Sequence, residues 1–316
     1  MAETRTETQH GEAQGIDLLA PQSVLRVLAQ GQLDAANSVF AAIPSIARAA
    51  EEAARALAGG GKIAYAAAGS SGLMALADGL ELPGTFGIPQ DRIRILLAGG
   101  AANFHELAND AEDDKQLARD DVASAGIGAG DCLIALSASG STPYAVEALR
   151  VAESLGAKTI AIANNPRAIL FNHADIPVLV ETPAEVIAGS TRMGAGTAQK
   201  IALNMMSTLM AIHLGHVHDG YMVNLRPDNL KLKDRAARIV AAIAGCTPDM
   251  AAELLSKSGG SVKAAILIAS GAQDADDAER LLQGTGQRLR PALAMIEGSK
   301  SSNHGGAKTP KQGECK

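Results

Sequence analysis

Short, wholly apolar runs alternating with helical stretches constrain the fold of this chain more than any other feature. The runs lie at 62–67, 93–97, 131–136, 158–163 and 176–180, and helical patterns occupy 72–80, 102–107, 115–124 and 143–155. A strand that is apolar on both faces must be covered on both faces. Strands of that kind joined by helices predict a parallel sheet between two helical layers, a three-layer α/β/α sandwich. Helical periodicity at 21–30 and 32–57 precedes the sheet and ends at Gly59-Gly60-Gly61, and a long helix at about 195–213 follows it. From residue 228 only short amphipathic segments occur, at 228–243, 248–256, 262–269 and 274–283. The expected organisation is a flexible N-terminus (1–15), N-terminal helices (16–58), an α/β domain (59–225), a small C-terminal helical domain (226–298) and a flexible tail (299–316).

Composition narrows the function classes. Aromatic residues make up 2% of the chain and there is no Trp, so the stacking platforms of a single-stranded nucleic-acid surface are missing. The net charge is −6, which gives no basic field to attract a large polyanion. Neither nucleic acid nor membrane is expected as a partner. Residues 1–15 are polar and acidic, unlike a signal peptide, and no apolar run reaches the length of a membrane span; a cytoplasmic location is expected. Cys132, Cys246 and Cys315 match no metal spacing. His213, His216 and His218 cluster where the long helix ends, and read as C-terminal helix capping rather than as ligands, so no metal is expected.

Two loops carry the chemistry. Ser137-Ala138-Ser139-Gly140-Ser141-Thr142-Pro143 joins an apolar strand to a helix that can open with Pro143, where a missing N–H costs little. Such a junction presents free backbone N–H groups and the positive end of a helix to an anion. Ser137, Ser139, Ser141 and Thr142 add hydroxyl donors. The plain alternative is a Ser-rich turn with one helix cap. A second loop, Ala67-Ala68-Gly69-Ser70-Ser71-Gly72, has the same grammar after the strand at 62–67. It lacks the G-x-G-x-x-G of a dinucleotide site and the Lys of a nucleotide P-loop. Two Ser-rich loops at successive strand ends suit a sugar phosphate better than a nucleotide.

The loop SASGST resembles the phosphate loop of sugar-isomerase (SIS) domains. The stretch GSTRMGAGTAQK at 189–200 is far more specific: it resembles the signature of the N-acetylmuramic acid 6-phosphate etherases and of the related glucokinase regulatory proteins. GSSGLMALADGLELPGTFG (69–87), AGGAANFHELANDAED (98–113) and the helical end of the chain extend the match to roughly residues 16–297. The resemblance implies an SIS domain with a C-terminal helical domain of the ubiquitin-associated type, in a homodimer with sites near the subunit interface. It implies a carbon–oxygen lyase of cell-wall amino-sugar recycling, acting on a phosphorylated amino sugar with no cofactor.

In that family one glutamate, matching Glu81, protonates the departing lactyl ether oxygen; it lies just before a Pro-containing turn. A second, matching Glu112, removes the proton at C2. Glu185 and Ser190 are candidate sugar contacts, and Ser70 and Ser71 join the hydroxyl loop as phosphate contacts. Read from residues alone, Glu81 is more readily a helix-end charge and Glu112 one of a solvated acidic group. Thr197 is a candidate cap for the long helix.

The sequence departs from the family pattern at several points. Leu73 stands for an arginine, Gly194 for a lysine, Leu230 for a glutamate and His10 for an asparagine, and the E-C-P-P-T turn reads Glu81-Leu82-Pro83-Gly84-Thr85. A lactyl group carries a carboxylate that cations favour, so the losses bear on the leaving group more than on the phosphate. An aldose–ketose isomerase and a phosphosugar sensor without turnover stand as alternatives. The retained glutamate pair favours an enzyme.

Overall fold

The apolar runs form one parallel sheet. A computed structural model describes residues 5–100 and 109–304; the helix read at 102–107 lies outside the described residues. The chain divides into two units, Met1–Pro83 with Ile88–His213, and Gly84–Gly87 with Leu214–Lys316.

In the first unit, α1 (Pro21–Ser38) and α2 (Ile43–Ala58) precede β1 (Ile63–Ala67), α3 (Gly69–Phe86, its last three residues counted with the second unit), β2 (Ile93–Leu97), α4 (Lys115–Ala125) and β3 (Cys132–Ser137). Then come α5 (Pro143–Ser154), β4 (Lys158–Ala163), β5 (Ile176–Leu179) and α6 (Gly194–His213). The strands pair in the order β2-β1-β3-β4-β5, all parallel. α4 and α5 pack on one face over Ala64, Ala66, Leu133 and Ala135. α2 covers the other face, and α1 and α2 both pack on α6. Buried Ala49, Ala50, Ala53 and Ala54 on α2 meet a sheet that is itself rich in Ala. Small side chains on both sides let helix and sheet approach closely, which explains how the core is filled with so few aromatics.

Carboxylates pin the amino ends of the strands. Asp131 accepts from the backbone N–H groups of Lys62 (2.7 Å) and Gly128 (3.0 Å), and Asp175 accepts from that of Thr159 (2.9 Å).

The sequence reading is corrected at three points in this unit. The first two helices break at 39–42, not at residue 31. Gly31 stays inside α1 because it is a close-contact position: a Cβ there would lie 2.7 Å from Val186 Cγ2. α3 begins at Gly69 rather than 72 and passes residue 80, where the reading ended it. The turn expected at Pro83 is helical instead. Pro83 lacks the N–H that would bond back one turn, a local cost of about 3 kcal/mol. Burial of Leu82 and Phe86 offsets that cost.

In the second unit, a hairpin of β6 (Val217–His218) and β7 (Tyr221–Met222) turns at Asp219-Gly220, both with positive φ. α7 (Leu230–Ala244), α8 (Pro248–Lys257), α9 (Val262–Ser270), α10 (Ala275–Gly284) and α11 (Leu289–His304) follow. Side chains of Asn229, Thr247, Ser261 and Asp274 each accept an N–H at a helix start. Such caps let short helices form where propensity alone is marginal. Val240, Ile266, Leu282 and Ala292 centre the core of this unit. α11 and the hairpin are additions to the four helices expected, and α11 runs on to His304, past the start of the expected tail. Among the described residues, no single helix is long and apolar enough to cross a membrane.

Candidate functional site

The strand order places a switch point between β1 and β3. From β1 the chain steps to β2 on one side, and β3 then pairs on the other. Connections leaving adjacent strand ends in opposite directions open a crevice beyond the carboxyl ends, where open α/β sheets bind ligands. Both Ser-rich loops start there: Ala67, the last residue of β1, pairs with Leu136, and Ser137 ends β3.

The structure gathers the four hydroxyls of the Ser137–Thr142 loop. Ser137 Oγ lies 2.8 Å from Thr142 Oγ1 and 3.3 Å from Ser139 Oγ, and Ser141 Oγ donates to Ser139 Oγ at 3.0 Å. The loop's own N–H groups take part: Gly140 donates to Ser137 Oγ at 3.0 Å and Ser141 to Ser139 Oγ at 3.2 Å. Gly140 has φ +72°, and a Cβ there would come 2.1 Å from Ala168 Cβ, so no side chain fits. Pro143 opens α5 as expected, with Thr142 at the cap position and its hydroxyl turned to Ser137 instead of the helix. The loop at Ala67–Gly72 runs directly into α3, so the positive ends of α3 and α5 both face the strand ends.

Glu112 comes to this edge. It sits in a 3-10 turn at Asn109–Asp113, and its Oε2 would lie 3.9 Å from a Cβ built on Gly69. The side chain is exposed. Ser70 is half-buried and Ser71 buried in the first turn of α3.

Glu81 lies elsewhere on the chain. It is exposed, twelve residues after Gly69 on the same helix. At about 1.5 Å rise per residue it stands about 18 Å down the helix from Gly69. A single chain therefore keeps Glu81 away from Gly69, beside which Glu112 lies.

Glu185 is buried, 4% exposed, with both oxygens engaged: Gly194 N–H donates to Oε2 at 2.9 Å and Ala195 N–H to Oε1 at 2.8 Å. It thus caps α6, the role assigned by sequence to Thr197. Thr197 is instead inside the helix, with its hydroxyl donating to Gln32 Oε1. Gly194 suits this arrangement, because a Cβ there would lie 3.1 Å from Glu185 Oε2. Ser190 forms a turn, accepting from Met193 N–H at 3.1 Å, and neighbouring Gly189 N–H donates to Thr6 O at 2.9 Å.

Buried Asn164, which the sequence reading passed over, braces the hydroxyl loop, with Gln199 bonded behind it. Asn164 N–H donates to Ala138 O at 3.1 Å, its Nδ2 donates to Val180 O at 3.0 Å, and its Oδ1 accepts from Gln199 Nε2 at 3.0 Å. The Asn-Asn pair closing an apolar strand was the available signal. Among the described residues, no three His, Cys, Asp or Glu side chains gather as a metal-holding group. Burial, helped by the nearby charge of Lys263, lowers His216 to about 4.

Residues 35–164 match the SIS domain family model. The chain is 42% identical to the N-acetylmuramic acid 6-phosphate etherase of Deinococcus radiodurans over 293 residues, 93% of this chain and 96% of that protein. It is 37% identical to the N-acetylmuramic acid 6-phosphate etherase of Mycolicibacterium smegmatis over 288 residues, 91% of this chain and 97% of the relative. Among solved structures it is similar to a phosphoheptose isomerase from Francisella tularensis, with 23% identity, 62% of this chain and 98% of that one covered, and a TM-score of 0.46. With near full-length matches on both sides, the chain belongs to the N-acetylmuramic acid 6-phosphate etherase family.

Proposed function

We propose that this protein cleaves the D-lactyl ether of N-acetylmuramic acid 6-phosphate, giving N-acetylglucosamine 6-phosphate and D-lactate. The observation that carries the reading is the four-hydroxyl loop at the β1/β3 switch point, with the Glu112 carboxylate at the neighbouring loop. Ser137, Ser139, Ser141 and Thr142 hold the phosphate with the N-terminal N–H groups of α5, and Ser70 and Ser71 close the other side. In the open-chain aldehyde the C2 proton lies next to a carbonyl, within reach of a carboxylate base. Glu112 takes that proton, the C3–O bond breaks, and Glu81 protonates the departing ether oxygen. Lactate keeps that oxygen. Water then adds at C3 of the unsaturated aldehyde, so the sugar gains the new one. Glu185 and Ser190 shape the sugar side of the site through the signature turn.

The separation of Glu81 from Gly69 and Glu112 favours a homodimer in which the two glutamates of one site come from different chains. An apolar groove of about 520 Å³ between α2 and α6, lined by Ile43, Ile201, Met205, Leu209 and Ile212, offers the surface for a second copy. Reaction in ¹⁸O-labelled water tests the chemistry. Elimination followed by hydration puts the label in the sugar. Label appearing in lactate would mean displacement at the lactyl carbon and would overturn the proposed route.

A further inference from the structure

One buried carboxylate takes no part in the chemistry just described. Asp78 is 4% exposed, and both its oxygens are engaged. Oδ2 accepts from Tyr65 Oη at 2.8 Å; Oδ1 accepts from Asn204 Nδ2 at 2.7 Å and from Ser207 Oγ at 2.9 Å. These three donors are neutral. They come from β1 and α6, while Asp78 itself rides on α3. Burial raises the Tyr65 phenol well above its ordinary range, and Asp78 beside it adds to the effect, so the phenol remains a donor.

Holding a carboxylate in a core is costly unless its hydrogen bonds are made, and an apolar side chain of similar size would fill the space more cheaply. What the carboxylate supplies is geometry. Two strong acceptor atoms reading three donors on two elements fix both the rotation and the height of one turn of α3. The next residue reinforces the fix: a Cβ on Gly79 would lie 2.9 Å from Ile95 Cδ1 and 3.3 Å from Tyr65 Cε2, so α3 touches the sheet closely here.

Glu81 follows three residues after Asp78, turned by about 60° around the helix. Two residues beyond it, Pro83 removes the N–H that would bond to the carbonyl of Gly79. The helix ladder is weakest just where Glu81 is presented, so the turn depends on its anchor to the sheet and to α6.

We propose that Asp78 is a positioning residue for Glu81, its carboxylate clamping the α3 turn that presents the acid. The inference rests on the reading of Glu81 as that acid. The test compares kcat and KM for D-lactate release from N-acetylmuramic acid 6-phosphate in Asp78→Asn, Ser207→Ala, Ser207→Thr and Glu81→Gln, with thermal midpoints measured alongside. A misplaced acid costs on the order of 10²-fold per ångström. Asp78→Asn and Ser207→Ala are therefore expected to lower kcat about 10- to 100-fold with KM within about twofold. Ser207→Thr, which keeps the hydroxyl, retains most of the rate.

A kcat within about twofold of wild type in folded Ser207→Ala, or an equal loss in Ser207→Ala and Ser207→Thr, overturns the clamp. If Asp78→Asn does not fold, the two α6 variants decide, since they leave α3 untouched. Full activity in Glu81→Gln removes the acid assignment and the clamp with it. Loss in Glu81→Gln beside a normal Ser207→Ala removes the clamp alone.

Discussion

Gly140 shows how a single position fixes the site. Its positive φ and the 2.1 Å approach to Ala168 leave no room for a methyl group. Gly140→Ala combines left-handed strain with overpacking and is expected to lower stability by about 2–4 kcal/mol. Urea denaturation reads that loss, and 6-phosphosugar binding should weaken with it; an unchanged denaturation midpoint would contradict the geometry. The hydroxyl cluster was legible because Ser, Gly and Pro at a strand–helix junction have few other uses. Glu185 was read as a sugar contact, whereas both its oxygens are engaged at the start of α6. Nothing local in sequence says that its two oxygens close the start of a helix nine residues on. Glu185→Ala should cost about 1–3 kcal/mol through the orphaned N–H groups of Gly194 and Ala195, as measured by thermal unfolding.

Elements carry the next layer. Glu147 on α5, nearly buried, accepts from Arg150 (2.6 and 2.9 Å) and from Arg119 on α4 (2.6 Å). The Arg150 hydrogen bonds, with Arg119 adding to them, lower its carboxyl to about 2 against the pull of burial. Its pKa in the unfolded chain is about 4.3, so the folded form holds the proton less tightly. The contribution is complete above about pH 4 and is lost as pH falls toward about 2. Glu147→Gln should flatten the acid limb of the stability–pH curve in that window; an unchanged limb would show that the α4–α5 clip contributes nothing. The strands and most helices were legible because wholly apolar runs and helical periodicity are local signals. The misjudged boundaries had tertiary causes. Gly31 and Pro83 look like helix breakers, yet contact with Val186 and burial of Leu82 and Phe86 override them. The Asp219-Gly220 hairpin was a missed local signal, since that dipeptide favours the turn its strands need.

At the scale of the whole molecule, the two units carry different acid sensitivities. His216, in the second unit, is held near a pKa of about 4 by burial and the Lys263 charge, against about 6.5 in an unfolded chain. Protonation therefore favours the unfolded state, and stability is lost as pH falls from about 6.5 to about 4. Glu147, in the first unit, acts only below that range. Hydrogen exchange at pH 5 should find α9 and the β6–β7 hairpin loosened before the parallel sheet; the reverse order would contradict this assignment. The family resemblance implies a homodimer, but sequence does not say whether one site draws on two chains. Glu81 and Glu112 are thirty-one residues apart in sequence, and only the length of α3 reveals that one chain keeps them apart.

That separation makes the most direct test one of complementation. D-lactate release from N-acetylmuramic acid 6-phosphate would be followed for wild type, for Glu81→Gln and Glu112→Gln alone, and for the two variants mixed and allowed to exchange chains. Each variant alone should be inactive, while half of a random mixture is heterodimer with one intact site in two, restoring about a quarter of wild-type activity. Wild-type protein that releases no lactate, or single variants that keep their full rate, would contradict the paired-glutamate etherase outright. Two dead variants that stay dead after exchange would place both glutamates of a site on one chain.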